Sequence, residues 1–436
     1  MALVIGILVV VVGIVVSIAL HEVGHMVPAK AFGVRVSQYM VGFGPTLWSR
    51  RKGETEYGFK AIPLGGYVRM VGMYPPAPAG VRQRGGGLFS QVVADARDAS
   101  TEEIRPGEEG RAFYHLSAPK KVVVMLGGPF MNLVIAFVLM LVVCVGIGLP
   151  AVTTTVGSVA PCVAETVTTA DEECAPDAAP SPATAAGLEP GDTIVSFDGQ
   201  DVSSWDQLAG MIRGAADATV PLVVERDGQR VDLTITPTEA QRQVVADDGT
   251  PVVDDAGEPV TEPAGVVGFT PTVERSSAGV GTAVEATWQQ VSGTAAMIVT
   301  LPVKVGEAVE AAFTDAPRGQ DSVMSVVGVG RVAVDVAGAD NPVLDRVVTM
   351  LLLLAALNVA LFVFNLVPLL PLDGGHVVNA LYEGGKRTVA RVRGLPRPGP
   401  ADVARMMPVA YVMFVVLIGV GGLLILADII DPVRLT

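Results

Sequence analysis

Two histidines four residues apart, with a glutamate beside the first, could share one metal ion and one proton acceptor: His21-Glu22-Val23-Gly24-His25. On a helix this spacing stacks both imidazoles on one face, about 6 Å apart. Two ring nitrogens at that separation can ligate the same ion. Glu22 between them suits a general base for water rather than a ligand, and the chemistry implied is metal-assisted hydrolysis. The same pattern also occurs on soluble helices that bind nothing, so its setting decides. Residues 1–20 carry no charge, and Ser17 is the one polar side chain among them. That run reads as a membrane-spanning helix. Ionisable groups at membrane depth are costly and are functional candidates by default. A secretory signal peptide is the competing reading of residues 1–20. It lacks a basic leading segment and a small-x-small cleavage site, and cleavage would strand the motif.

The elements that must position this chemistry follow from hydropathy and charge. The chain has 436 residues, half of them hydrophobic, and a net charge of −14. Further apolar spans run over 122–149, 346–372 and 407–430, which with 1–30 makes four. Basic residues gather in 31–121, as in Arg50-Arg51-Lys52 and Lys120-Lys121, and in 373–406, with Lys386, Arg387, Arg391 and Arg393. Acidic residues dominate 150–345. The positive-inside rule puts the two basic connections in the cytoplasm and the acidic region outside. The negative charge then reports a solvated external region and excludes a nucleic-acid surface.

Catalytic zinc takes three protein ligands and an open position. Two other histidines exist, His115 and His376. Asp373 is the better third ligand, in Asn365-Leu366-Val367-Pro368-Leu369-Leu370-Pro371-Leu372-Asp373-Gly374-Gly375-His376. Two prolines break the third span near its cytoplasmic end, the depth at which the first span also ends. His376 remains an alternative ligand, and a plain Asp-Gly turn an alternative role for Asp373. His115 reads as a loop or interfacial histidine.

Between the first two spans, Gly33–Val36 and Gly58–Met70 read as short strands broken by glycines, a sheet against or dipping into the membrane. Residues 75–109 are rich in Pro, Gly and charge and read as a mostly flexible loop. In the external region, 150–240 reads as a small α+β domain. It contains Ala185-Ala186-Gly187-Leu188-Glu189-Pro190-Gly191-Asp192-Thr193-Ile194-Val195-Ser196, a helix over 205–213 capped by Ser204, and a hairpin turning at Asp227-Gly228. This pattern resembles a bacterial PDZ domain. Residues 241–345 read as an exposed acidic loop followed by an amphipathic helix over 280–312. Cys144 lies in the second span, as a packing residue. Cys162 and Cys174 flank an Ala/Thr-rich external insert and are candidates for a disulfide.

His21-Glu22-Val23-Gly24-His25 together with Asn365-x-x-Pro368-x-x-Pro371-Leu372-Asp373-Gly374 resembles the site-2 protease family of intramembrane zinc metalloproteases. Gly128-Pro129-x-x-Asn132 and Ile62-Pro63-Leu64-Gly65-Gly66-Tyr67-Val68 are similar to its bacterial regulator-of-sigma-E protease branch. The resemblance implies one Zn2+ on His21, His25 and Asp373, with Glu22 as general base. It places the strand through Gly65, Gly66 and Tyr67 near substrate, and Asn365 on the substrate backbone or the developing oxyanion. It implies membrane-spanning substrates, such as anti-sigma factors already cut outside by another protease. The PDZ domain would then read a new C-terminus or exclude uncut substrates by size.

The expected fold is a polytopic α-helical plasma-membrane protein of four transmembrane helices, with a membrane-associated β-hairpin or sheet and an inserted extracytoplasmic α+β PDZ domain. The active site is expected near the cytoplasmic side. Two competitors are a surface-acting zinc protease with a soluble catalytic domain and a non-catalytic PDZ-bearing membrane scaffold. The first would carry the His-Glu motif outside the spans with a downstream Glu ligand, and the second would not require Glu22.

Overall fold

The computed structural model describes residues 2–76, 88–162, 179–244, 260–314, 323–338 and 342–430. It divides into two units, Met1–Ile147 with Ala278–Thr436, and Gly148–Ser277.

The first unit begins with α1 (Ala2–Ala31), followed by β1 (Val36–Lys52), β2 (Thr55–Met70), α2 (Leu88–Glu102) and α3 (Ala118–Leu141). The second holds β3 (Leu149–Val159), α4 (Pro182–Ala186), β4 (Thr193–Phe197), β5 (Gln200–Asp201) and α5 (Trp205–Gly214). It continues with β6 (Val220–Arg226), β7 (Gln229–Ile235), β8 (Thr238–Gln243), β9 (Thr261–Val266) and β10 (Phe269–Ser276). The chain then returns to the first unit with α6 (Val280–Phe313), α7 (Val326–Gly338), α8 (Val343–Asn365), α9 (Asp373–Val392) and α10 (Met407–Ile430).

Four helical segments among the described residues are long and apolar enough to cross a membrane: Leu8–Ala31, Ala118–Ile147, Val343–Asn365 and Val403–Ile430. The protein is a multi-pass membrane protein. With no solvent at membrane depth, backbone groups there must be satisfied internally, which only helices or closed sheets achieve. In this unit α1 packs on α3 and α7, and α3 packs on α8 and α9. A polar clasp links α1 to α8, where buried Asn358 donates to Ser17 Oγ at 2.9 Å. Gly13 gives way to Leu354 on the same face. The fourth span is different, with only Ala410, Leu424, Ala427 and Asp428 buried along α10. Its surface is therefore left mostly to lipid.

The glycine-broken short strands of the sequence reading are two long, bent strands. Gln38–Val41 of β1 have partners on both sides, Glu56–Phe59 and Gly66–Arg69 of β2. Gly42 and Gly44 take positive φ (96° and 83°), which turns β1 where it meets Ile62. Phe43, Leu47, Trp48, Phe59 and Ile62 are all exposed, an apolar surface suited to the bilayer interface.

Two segments read as loops are in part helical. Within 75–109, α2 occupies Leu88–Glu102, held by contacts no local propensity reveals. Ser100 Oγ bonds the Tyr74 backbone, Arg97 bonds Asp402, and Glu103 pairs with Arg69. Residues 77–87 lie outside the described residues. Within 373–406, the expected loop after the third span, α9 runs for twenty residues. It buries Gly374, Gly375, Ala380, Glu383 and Ala390 on one face. Its glycine pairs lower helix propensity, and tertiary packing overrides that.

The second unit builds a sheet in the order β10-β3-β4-β6-β7, with β5 on β4 and a separate β8–β9 hairpin. Its core is Val156, Ile194, Phe197, Leu208, Leu222, Val224 and Ile235. The expected local signals are present. Ser204 Oγ accepts from Gln207 N at the start of α5, and Asp227-Gly228 turns the β6–β7 hairpin with positive φ at both residues. Cys162 bridges to Pro180 and is disulfide-bonded. Its expected partner, Cys174, lies outside the described residues. Cys144 is free and buried.

Asp192 is the polar keystone of this unit. It is 1% exposed, and its two oxygens accept from Arg226 Nε and Nη2, both at 2.7 Å. Oδ2 also accepts from Glu189 N at 2.9 Å. Burial acts to raise the carboxyl pKa, but Arg226 outweighs it and holds the group below the usual carboxylate range. Asp192→Asn takes from Arg226 its buried anion, leaving it the exposed Glu189 at 2.9 Å, and is expected to destabilise this unit by about 2 kcal/mol. Because the folded pKa is depressed, the contribution is complete above about pH 4. It is lost as pH falls through the folded value. Hydrogen exchange of β4 and β6 amides in the full-length protein, at neutral and acidic pH, measures both effects.

Candidate metal centre

α1 delivers His21 and His25 one turn apart, with ring centroids 4.9 Å from each other and planes at 81°. Their Nε2 atoms are 3.2 Å apart. Asp373, first residue of α9, brings Oδ2 to 3.4 Å from His21 Nε2 and 3.3 Å from His25 Nε2. The three form the one group of potential metal ligands among the described residues. A tetrahedral zinc with bonds of about 2.0–2.1 Å has ligand–ligand edges of about 3.3–3.4 Å. The three observed separations match that edge. Asp373 Oδ2 is also buried without a hydrogen-bond partner, a costly state that a cation relieves. The donor set and its spacing therefore fit zinc.

The histidine tautomer fits as well. His25 donates its Nδ1–H to Val124 O at 2.8 Å. That bond fixes the tautomer, leaving the Nε2 lone pair facing the site.

Residues 9–395 match the family model for peptidase family M50. The chain belongs to this family, the site-2 proteases. It is 35% identical over 447 residues to the zinc metalloprotease Rip1 of Mycobacterium tuberculosis, covering 100% of both chains. It is 34% identical over 444 residues to Rip1 of Mycolicibacterium smegmatis, covering 99% of this chain and 98% of the relative. Against the metalloprotease MmpA of Caulobacter vibrioides the identity is 28% over 390 residues, 84% of each. The chain is accordingly a zinc metalloprotease with Zn2+ as its cofactor.

Glu22 lies one residue from the first histidine, 9% exposed, and takes a backbone hydrogen bond from Val68 of β2. Gly66 has no side chain because Glu22 Cγ, Ile18 and Met40 O would each lie 3.0 Å from its Cβ. Gly65, at φ 128°, adopts a backbone that favours glycine and abuts the Phe43 ring. Tyr67 stacks on Phe43 with centroids 6.4 Å apart, and its hydroxyl lies 3.4 Å from Gln38 Oε1. The strand at Gly66 thus lies against the side chain of Glu22. Asn365 is less engaged, its Nδ2 donating to Leu361 O of its own helix at 2.9 Å. His376 follows Asp373 on α9 but is absent from the cluster. His115 contacts Tyr114, with rings 4.4 Å apart.

The sequence reading did not foresee what α3 contributes. Val124 and Asn132 address His25 and His21, and Asn132 Nδ2 lies 3.1 Å from His21 Nδ1. Gly24 and Gly127 meet backbone to backbone, and a Cβ on either would overlap the other's carbonyl. A Cβ on Gly128 would overlap the His25 ring. The signal was in the sequence as Gly127-Gly128 inside an apolar span, where small residues mark close helix crossings. Gly128→Ala is expected to displace the His25 ring from Val124 O. A shift of about 1 Å at a reacting centre costs roughly 100-fold, so cleavage should fall by that order and zinc content should drop. Zinc analysis of the purified protein and a cleavage assay in detergent check the two outcomes.

Proposed function

We propose that the chain is an intramembrane metalloendopeptidase that performs regulated cleavage of single-pass membrane proteins. The observation supporting this most directly is the position of the histidine pair on a membrane-spanning helix, converging with Asp373 beside a strand segment of β2. In this reading His21, His25 and Asp373 are the ligands and Glu22 is the general base. Bound zinc supplies Lewis-acid polarisation of the scissile carbonyl and acidification of the attacking water. Glu22 accepts the water's proton and returns it to the leaving amine. Burial of Glu22 against Gly66 keeps its carboxylate aimed and shielded from bulk solvent.

A helical substrate hides its amides in its own hydrogen bonds, so cleavage requires local unwinding. Strand addition along Gly65-Gly66-Tyr67 holds the unwound segment extended, and Asn365 contacts its backbone or the developing oxyanion. The substrate class, anti-sigma factors shortened by a first extracytoplasmic cut, follows the family resemblance.

We read the 150–240 region as a PDZ domain outside the cytoplasm, extended within Gly148–Ser277 by β9 and β10. Supporting this, β10 is an edge strand of the sheet among the described residues, and Trp205 of α5 meets Phe269 of β10 edge-on at 5.8 Å. An edge strand beside a helix is the arrangement that takes an extended peptide end. The basic loops support a zinc site near the cytoplasmic face of the plasma membrane. A Cys162–Cys174 disulfide is consistent with an oxidising exterior.

Glu22→Gln keeps the shape of the side chain and removes the base. Cleavage of a reconstituted single-pass substrate is expected to fall about 10²–10⁴-fold while zinc content stays at one per chain. Retained cleavage would sink the mechanism. Asp373→Ala is expected to lose zinc on dialysis against a chelator, and undiminished zinc would place the third ligand elsewhere.

A further inference from the structure

Asn132 is fully buried in the apolar interior of α3, where a primary amide is expensive unless it is bonded. Its amide group reaches one neighbour, His21, 111 positions away in sequence, with Nδ2 3.1 Å from His21 Nδ1. Asn132 Oδ1 is buried and has no hydrogen-bond partner. No donor therefore fixes which end of the amide faces the ring, and the two ends have nearly the same shape.

The chemistry of the ring decides the orientation. His21 directs Nε2 at His25 and Asp373. To ligate an ion there, Nε2 must carry a lone pair, so the ring proton must sit on Nδ1. An N–H at Nδ1 cannot face an NH2 group, whereas it can donate to an amide oxygen. Half a turn of the Asn132 amide exchanges Oδ1 and Nδ2 and brings Oδ1 within hydrogen-bond reach of Nδ1. The second histidine already shows this arrangement, with Nδ1–H donated to the Val124 carbonyl of the same helix at 2.8 Å.

We propose that Asn132 is the positioning residue of His21. Its side-chain carbonyl accepts the Nδ1–H, locks the tautomer and aims the Nε2 lone pair at the zinc position. Helix α3 then orients both histidines, His25 through a backbone carbonyl and His21 through a side-chain one. A carbonyl at this position also raises the basicity of the ligand nitrogen. The inference rests on the reading of His21 as a zinc ligand.

The test uses acceptor and donor capacity rather than size. Asn132→Asp nearly preserves shape and can only accept, so it is expected to hold zinc about as tightly as the parent. Asn132→Leu can neither accept nor donate and is expected to lose zinc affinity about 10–100-fold. Asn132→Ala, which deletes the amide without adding bulk, should fall in the same range and serves if the leucine variant does not fold. Affinity is read by chelator competition on the purified full-length protein in detergent, independent of cleavage. Thermal unfolding of the metal-free proteins controls for folding. Parent-like affinity in the leucine or alanine variant overturns the proposal. So does an aspartate variant that folds like the parent yet binds as weakly as leucine, because the amide would then be acting as a donor. His21→Ala separates the two levels. Undiminished affinity there overturns the ligand assignment itself, whereas weak binding there with parent-like Asn132→Leu overturns the role of Asn132 alone.

Discussion

The close approach of α1 and α3 at Gly24 and Gly127 is the constraint on which the site depends. Without side chains at these positions the two backbones meet, and every functional contact between the helices follows from that separation. His25 can reach Val124 O only because Gly128 leaves room for its ring. Asn132 comes beside His21 at the other end of the same contact. In a bilayer, helices gain little from burying apolar surface, since lipid is as apolar as they are. Close packing and a few interhelical hydrogen bonds must therefore fix the geometry, and here they fall on the face that carries His21 and His25.

Asp373 is brought to the histidines by a different device. α8 ends at Asn365 and α9 begins at Asp373. Gly374 and Gly375 allow the start of α9 to fold back onto the Leu366–Leu370 backbone. At its far side α9 is tied to α3 through Glu383, buried at 2% exposure. Glu383 accepts from Lys121 Nζ at 2.7 Å and from the Ala401 amide at 2.9 Å, and pairs with Arg387 at 2.6 Å. A carboxylate this buried is tolerable only when paired and hydrogen-bonded. The result is that α3 serves as the common reference for His21, His25 and Asp373.

How much of this the sequence showed depends on the kind of information involved. The histidine pair and Asp373 were legible because ionisable residues are rare in apolar spans, so each one stands out. The hairpin turns and the Ser204 cap were legible because their signals are local. The glycine contact was not, since it belongs to a pair of segments about a hundred residues apart and neither glycine alone specifies its partner. α2 and α9 were hidden for a related reason. Pro, Gly and charge in their neighbourhoods argue for loops, and the ion pairs that hold them (Arg97 with Asp402, Lys121 with Glu383) become visible only when distant segments meet.

The same reasoning explains how Glu22 comes so close to β2. His21 and His25 take the helix face toward α3 and α9, and Glu22, one residue on from His21, turns toward the hairpin. There glycine at position 66 lets the backbone of β2 approach closely, since a Cβ would press on Glu22 Cγ, Ile18 and Met40 O at 3.0 Å each. The strand that would receive an extended peptide is therefore set against the carboxylate that would serve as base. A side chain at Gly66 would press on Glu22, and one at Gly128 would disturb the His25 ring. Binding geometry and metal geometry thus rest on different glycines, one on each side of the same helix.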